Sequence, residues 1–414
     1  MAVRAAMHRA GAALVEGLLA MRESPSPSFP CACGKRARFH GRRPRKLHTA
    51  LGEVSFERAY YHCPDCGHGQ SPRDAELDVA GTDFSPGVRR MMAAVGSETS
   101  FERGSEQLEL LAGVAVAAKA VERHAEAIGA AIAEREREEI RRAKQLELPE
   151  ILSPAAEILY IEMDGTGVPV ARRETAGRKG KTEGEAARTR EAKLGCVFTQ
   201  SGVDRKGRPR RDEGSTSYAA AIESAEDFGA RLYTEAWRRG WDRAKRKVVL
   251  GDGAVWIWNL AREHFPGAIQ IVDLFHARQH LWDLARSLHP NEEAQQKRWM
   301  AIHQQLLDDG KLKKLTVSLR SIQTSNQELA EKLRTEADYF HRNALRMRYP
   351  KFRGLGLFVG SGVVEAGCKT VIGCRLKQSG MFWSTKGANS ILALRCCRLN
   401  RRFEDFWASR GKAA

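Results

Sequence analysis

The sequence predicts an α/β protein with a mixed sheet at its centre, helices around it and a small cysteine-pinned module ahead of it. Three observations lead there. Short runs of β-forming apolar residues end on an acid three times: at Asp164 in "LYIEMDGTGV", at Asp252 in "VVLGDGAV" and at Asp273 in "IQIVDLFH". Amphipathic helical stretches such as "AEDFGARLYTEAWRRGW" lie between them, the alternation expected of strands packed under helices. Two pairs of cysteines, Cys31 with Cys33 and Cys63 with Cys66, bracket a segment that reads as a hairpin.

Composition narrows the partners. The 414 residues suit two or three domains and carry 68 Lys and Arg against 51 Asp and Glu, a net charge of +17. That balance points to a polyanionic partner, while charge alone does not separate DNA from RNA or an anionic membrane. No apolar run approaches the roughly 20 residues that span a bilayer, so the expectation is a cytoplasmic protein with no membrane partner. Nine cysteines, an odd number unevenly spread, suit metal ligation with scattered core thiols better than a disulfide framework.

Residues 1–28 read as an N-terminal helix and 29–80 as the cysteine module. The knuckles "CACG" and "CPDCGHG" flank expected strands at 46–51 and 54–62 that turn at Gly52, with Val54, Phe56 and Tyr60 on one face. This is the layout of a zinc ribbon, in which Cys31, Cys33, Cys63 and Cys66 hold Zn²⁺ tetrahedrally. The first knuckle has one intervening residue where two are usual, and His40, His48, His62 and His68 are close enough in sequence to replace a ligand. Between the knuckles runs "KRARFHGRRPRK", whose Lys35, Arg36, Arg42 and Arg43 are candidates for DNA-backbone contact. A solvated charge run is the plain alternative.

Residues 81–150 are expected to be helical. Leu108 and Leu111 keep helical spacing up to Gly113, after which Val116, Val121 and Ile128 resume it, the pattern of a helix-turn-helix. Its second helix would offer Lys119, Arg123 and His124 to a DNA groove, while plain packing of an alanine-rich helix pair fits the same spacing. Residues 133–147 look like a solvated linker helix with i,i+4 charge pairs.

Residues 151–284 carry the three acid-ended strands, a further strand "LGCVFTQ", a short one near 216–222 and a flexible loop over 171–193. Asp-Gly is a common turn dipeptide, so Asp164 alone is ambiguous; repetition at Asp252 and Asp273 favours strand ends that build one shared site. On that reading Gly165, Thr166 and Gly167 are small so that metal and phosphate can approach the backbone. Residues 285–354 form an all-α insertion, and 355–414 complete the core. There Glu365 sits one turn into a helix after Gly360-Ser361-Gly362, with Lys369 four residues on. A surface Glu-Lys pair is the plain reading, yet the small apolar neighbours imply a buried helix whose carboxylate needs a reason. Lys369, Arg375 and Lys377 are candidates for phosphate contact. Trp256, Trp258, Phe382 and Trp383 are expected mostly in the core, with stacking on an unpaired base as the alternative.

In their order, "MDGTGV", "LGDGAVWIW", "VDLFHARQH" and "GSGVVEAGCKTVIGCRLKQSGMFWS", behind a cysteine ribbon, resemble the transposases of bacterial insertion sequences with an Asp-Asp-Glu triad, closest to the Kra group. The resemblance implies a ribonuclease H-like core with a helical insertion before the final Glu, acting in the bacterial cytoplasm or nucleoid as a homodimer or larger assembly on DNA. It implies Asp164, Asp252 and Glu365 as the catalytic triad, and Asp273 with His276 as an Asp-x-x-His signature beside it. Three convergent carboxylates repel unless cations neutralise them, and hard oxygen ligands select Mg²⁺ or Mn²⁺. The activity implied is binding of element ends, strand cleavage and joining of 3′ ends to target DNA. A metal-dependent nuclease without joining and a non-catalytic DNA-binding protein are the competing readings.

Overall fold

The structure is a computed structural model and describes residues 2–21, 24–151, 154–180 and 186–410. The chain divides into two compact units, Met1–Ile132 together with Arg401–Ala414, and Ala133–Asn400. The final helix, Phe403–Arg410, thus groups with the N-terminal unit and not with the core as expected. Arg410 pairs with Asp78 at 3.0 Å, and Arg90 with Glu404.

In the first unit a helix, Ala2–Ala20, precedes a four-stranded antiparallel sheet. Its central hairpin is far longer than the sequence suggested: Arg36–Thr49 pairs with Gly52–His62, so the basic run is itself a strand. A bulge between Phe39 and Gly41 interrupts the register. The two ends of the hairpin bury different sets. Ala37 and Tyr61 pack with Cys31 and Cys63 at the knuckle end, and Leu47, Val54 and Phe56 pack with Val79 and the N-terminal helix at the turn end. After a short helix, Pro72–Glu76, come Pro86–Glu98, Phe101–Gln107 running into a π-helical turn Leu108–Ala112, and Ala118–Lys144. Gly113 ends the π-helical turn in the left-handed region, as its position implied, and Val88, Met92, Leu108, Val114 and Val121 form the core beneath. Leu111 lies in this π-turn and is 75% exposed, although its spacing from the buried Leu108 suggested a place on the same face.

The second unit is built on a five-stranded mixed sheet. Ile158–Pro169, Thr189–Gln200 and Ser217–Ala221 run as an antiparallel meander. Arg246–Gly251 adds in parallel to the free side of the first, and Ile269–Val272 adds in parallel to that. The strand carrying Asp164 does not break there. It continues to Pro169 against Thr189–Gln200, so residues 189–193 of the expected loop are strand and Arg172–Thr175 form a short 3-10 turn; residues 181–185 of that loop lie outside those described. What stops at Asp164 is the parallel partner, whose last pair is Gly251 with Met163. The insertion is helical as predicted, through Glu293–Asp308, Leu312–Ser321 and Gln327–Asn343. The expected linker is the second part of Ala118–Lys144 and is docked rather than solvated, with Glu136 and Glu139 paired to Arg231 and Arg238 at 2.7 and 2.6 Å. Among the described residues no helix is long and apolar enough to cross a membrane.

Candidate functional site

Two groups of side chains carry chemistry, one in each unit. In the first, each knuckle closes on its own backbone: Gly34 N–H donates to Cys31 O, and Gly67 N–H to Cys63 O, both at 2.9 Å. Both glycines have positive φ, and the one-residue difference between the knuckles is absorbed in that ring. Cys31 Sγ then lies 3.6 Å from Cys66 Sγ and Cys33 Sγ 3.7 Å from Cys63 Sγ, with all four sulfurs within 4.8 Å of one another. Thiolates bonded at about 2.3 Å to one tetrahedral zinc stand about 3.8 Å apart, so the set fits the ion. Backbone N–H groups of Cys66 and Asp65 aimed at its sulfur draw Cys63 down to about 7. None of the four nearby histidines belongs to this group.

The basic residues around it are partly used by the fold. Arg36 donates to Ser28 Oγ at 2.7 Å, and the Arg43 guanidinium lies 3.4 Å over the Tyr60 ring. Arg42 is half-buried, and Lys35 is exposed beside the first knuckle. On the helix Ala118–Lys144, Lys119 and Arg123 are exposed, Lys119 pairing with Glu122 at 2.7 Å. His124 turns inward against Phe84 at 5.1 Å, and burial lowers its pKa.

The carboxylates of the second unit gather where the parallel strands end. Asp164 and Asp252 each follow the last residue paired between two adjacent parallel strands, Met163 and Gly251. The helix Gly362–Gly367 carries Glu365 across the face of the meander that holds Glu162 and Asp164. It can lie that low because residue 367 is glycine: a Cβ there would stand 2.9 Å from Cys196 Sγ and from Leu194. Two buried acids hold it in place. Glu162 Oε2 accepts from Val364 N–H at 2.8 Å, and Asp273 Oδ2 accepts from Ser361 N–H at 2.7 Å and from its hydroxyl. Asp273 Oδ1 meanwhile caps the helix Leu274–Leu288 through the N–H groups of Phe275 and His276. Asp273 is therefore engaged on both oxygens and serves as a brace rather than an open ligand.

That sorts the acids. Asp164 and Asp252 are half-buried and Glu365 is exposed, whereas Glu162 and Asp273 are buried. Burial raises the Asp164 pKa, the Asp252 charge adds to this, and the N–H of Gly165 and the thiol of Cys368 oppose it. Burial pushes Glu162 up to about 8, helped by Asp273 and Glu365, and its Oε1 has no hydrogen-bond partner. Cys368 Sγ lies 3.4 Å from Asp164 Oδ2, and burial and that acid push the thiol up to about 12. The donor set, all hard oxygen, fits Mg²⁺ or Mn²⁺ in kind. The oxygens are not drawn to ligand distance, since among the described residues the four cysteines alone form a group within 4.8 Å.

The helical insertion reaches this edge. Tyr339 OH donates to the Asp252 carbonyl at 3.1 Å, and its ring lies where a Cβ on Gly253, a residue at φ +100, would stand 2.6 Å from it. His280 stacks on Tyr339 at 4.2 Å and binds Glu336 through Nδ1 at 2.7 Å. His276 is exposed, 5.3 Å from His280 ring to ring, and near enough to Asp164 to favour its charged form. Of the expected phosphate-binding residues, Lys377 donates to Thr166 Oγ1 and Lys369 is exposed. Arg375 differs: it is wholly buried, 4.8 Å from the Trp383 ring, and so is taken up by the core. Trp258 and Trp383 are buried, Trp256 is half-buried and Phe382 is 70% exposed. The small residues after Asp164 have a plainer cause than metal approach, because a Cβ on Gly165 or Gly167 would strike Glu191 or Thr189 across the hairpin.

A sequence model of the uncharacterised protein family UPF0236 matches residues 34–403. The chain belongs to that family. No curated protein matches it. Among solved structures it is similar to the Drosophila P element transposase strand transfer complex, at 11% identity and a TM-score of 0.27, over 82% of this chain and 83% of that one. For this UPF0236 member, sequence reasoning missed Glu162, Cys368, His280, Glu336 and Tyr339. Glu162 was within reach: a lone acid inside an apolar strand, two residues before Asp164, necessarily shares its face. The others depend on contacts between distant segments.

Proposed function

We propose that the protein is a DNA transposase of the Asp-Asp-Glu type, which binds element ends, cleaves DNA strands and joins 3′ ends to target DNA. The observation that carries the reading is the convergence of Asp164, Asp252 and Glu365 from two adjacent parallel strands and a braced helix. A meander extended by two parallel strands is compatible with a ribonuclease H-like core, and the net charge of +17 suits a nucleic-acid partner.

In this reading Asp164, Asp252 and Glu365 hold divalent cations, Mg²⁺ or Mn²⁺, which when bound supply charge neutralisation and activation of a hydroxyl for in-line phosphoryl transfer. The chain's own part is placement. Asp273 and Glu162 fix the height of the Glu365 helix through Ser361 and Val364, and Tyr339 holds the Asp252 turn. His276 favours the ionised state of Asp164. Lys369 and Lys377 face the phosphates, while the first unit contacts DNA through the zinc-holding cysteine hairpin and the exposed Lys119 and Arg123.

The test is incubation with Mg²⁺ and a supercoiled plasmid bearing candidate terminal repeats. Parent protein should nick, cut and join. Asp164→Asn, Asp252→Asn and Glu365→Gln should each slow cleavage by about 1,000-fold or more, a loss of several kcal/mol of transition-state stabilisation, while DNA binding without metal is retained. Near-parent cleavage by any one of them sinks the triad, and cutting without joined product reduces the activity to that of a nuclease.

A further inference from the structure

Beside Glu365 opens a cavity of about 830 Å³ whose wall is mostly apolar, formed by Leu357, Phe358, Val363 and the ring of Phe275. Phe275 lies between the two polar residues of "DLFH", yet it is 62% exposed. Ligand sites are concave and lined by apolar and aromatic side chains, so an exposed ring bordering an apolar cavity is a candidate stacking face. One side of the ring rests on the backbone at Gly360, where a Cβ would stand 2.7 Å from it. Its own N–H is held by Asp273 Oδ1 at 2.5 Å, which anchors the backbone that carries the ring, and the Arg278 guanidinium stands 5.7 Å from the ring centroid. The exposed Arg353 and Arg208, the latter bonded to Asp204, border the same cavity.

We propose that this cavity takes an unpaired nucleobase from the DNA strand whose phosphate lies at the carboxylates, with Phe275 as the stacking face. The inference rests on the phosphoryl-transfer reading of the neighbouring acids. A flat aromatic face, a volume within the ordinary range of small-ligand sites, an acid at one border and arginines at another suit a base with phosphates on either side. Stacking of this kind tolerates any sequence, because every base offers a π-face. It replaces the expectation placed on Trp383, whose indole is buried and donates to the Leu376 carbonyl at 3.1 Å.

The test measures binding of a fluorescent decamer of thymidylate, and of the matching abasic decamer, in EDTA so that no divalent cation contributes. Phe275→Ala should weaken the thymidylate decamer by about 5- to 100-fold and leave the abasic one unchanged, with Phe275→Trp restoring affinity. A decamer carrying 5-iodouracil should crosslink to the peptide containing Phe275. Equal loss on both decamers, no loss on either, or crosslinks that avoid this peptide would each overturn the proposal. Base-selective binding at Phe275 alongside undiminished cleavage by Glu365→Gln would instead overturn the catalytic reading and leave the base site standing.

Discussion

The four sulfurs of the first unit already stand at the spacing a tetrahedral ion requires, whereas the carboxylates of the second share an edge without closing on one another. The difference follows from charge. Thiols are mostly neutral at ordinary pH, Cys63 being drawn down to about 7, and pack together as small hydrophobes, so backbone rings can set their geometry before any ion arrives. Carboxylates repel, and in a half-buried setting the fold keeps them apart or keeps one protonated, as it does Glu162. The first arrangement suits a permanent structural ion. The second suits ions that enter with a substrate.

Three further experiments bear on that contrast. The largest effect belongs to the cysteines. Parent protein should carry about one zinc per chain, and Cys63→Ser combined with Cys66→Ser should abolish it and melt the hairpin, since metal binding and folding are coupled in such modules. Metal analysis with hydrogen exchange over residues 36–62 reads both, and an intact hairpin in the zinc-free variant would place the cysteines in an ordinary core. Next is Glu162. Its folded pKa lies near 8 against an ordinary 4.5, so the folded chain keeps a proton that the unfolded chain loses. The stability this confers is complete below about pH 4.5 and disappears as pH rises through 8. Glu162→Gln should therefore match the parent near pH 4 and exceed it by a few kcal/mol near pH 9 without divalent cation, at about 1.4 kcal/mol per pKa unit. Parallel melting curves across that range would show the carboxyl is not held neutral. The smallest effect is at the insertion. Tyr339→Phe removes one hydrogen bond to the Asp252 carbonyl and should cost about 1 kcal/mol and slow cleavage severalfold. An unchanged rate would make the insertion a bystander to the acid edge.

Much of the acid edge was legible because its signals are local. An apolar run ending on an acid names a strand end, and this held at Asp252 and Asp273, which directly follow the strands Arg246–Gly251 and Ile269–Val272. At Asp164 the same signal misled in one respect. Glycine and threonine after it looked like strand termination, but the antiparallel neighbour continues and glycine there makes room for cross-strand side chains. The long ribbon hairpin was misjudged for a related reason. Seven basic residues in twelve suggest a DNA-contacting run, with a solvated one as the alternative, and neither signals a strand; yet such residues can pair in a sheet while their side chains find Ser28, Tyr60 and Glu53. The roles of Tyr339 and Glu336 had no local signal, for each acts on a residue more than fifty positions away. Arg375 shows the converse: a basic residue in a basic neighbourhood turned wholly inward.

The bond from Val364 N–H to Glu162 joins residues 202 positions apart. During synthesis at about 5–20 residues per second, that separation corresponds to roughly 10–40 s. Throughout that interval the Glu162 strand has been made while the helix that will cap it does not yet exist. The acid edge therefore cannot assemble before Val364 has been made, and a chain stopped short of that point would lack whatever chemistry the edge supports.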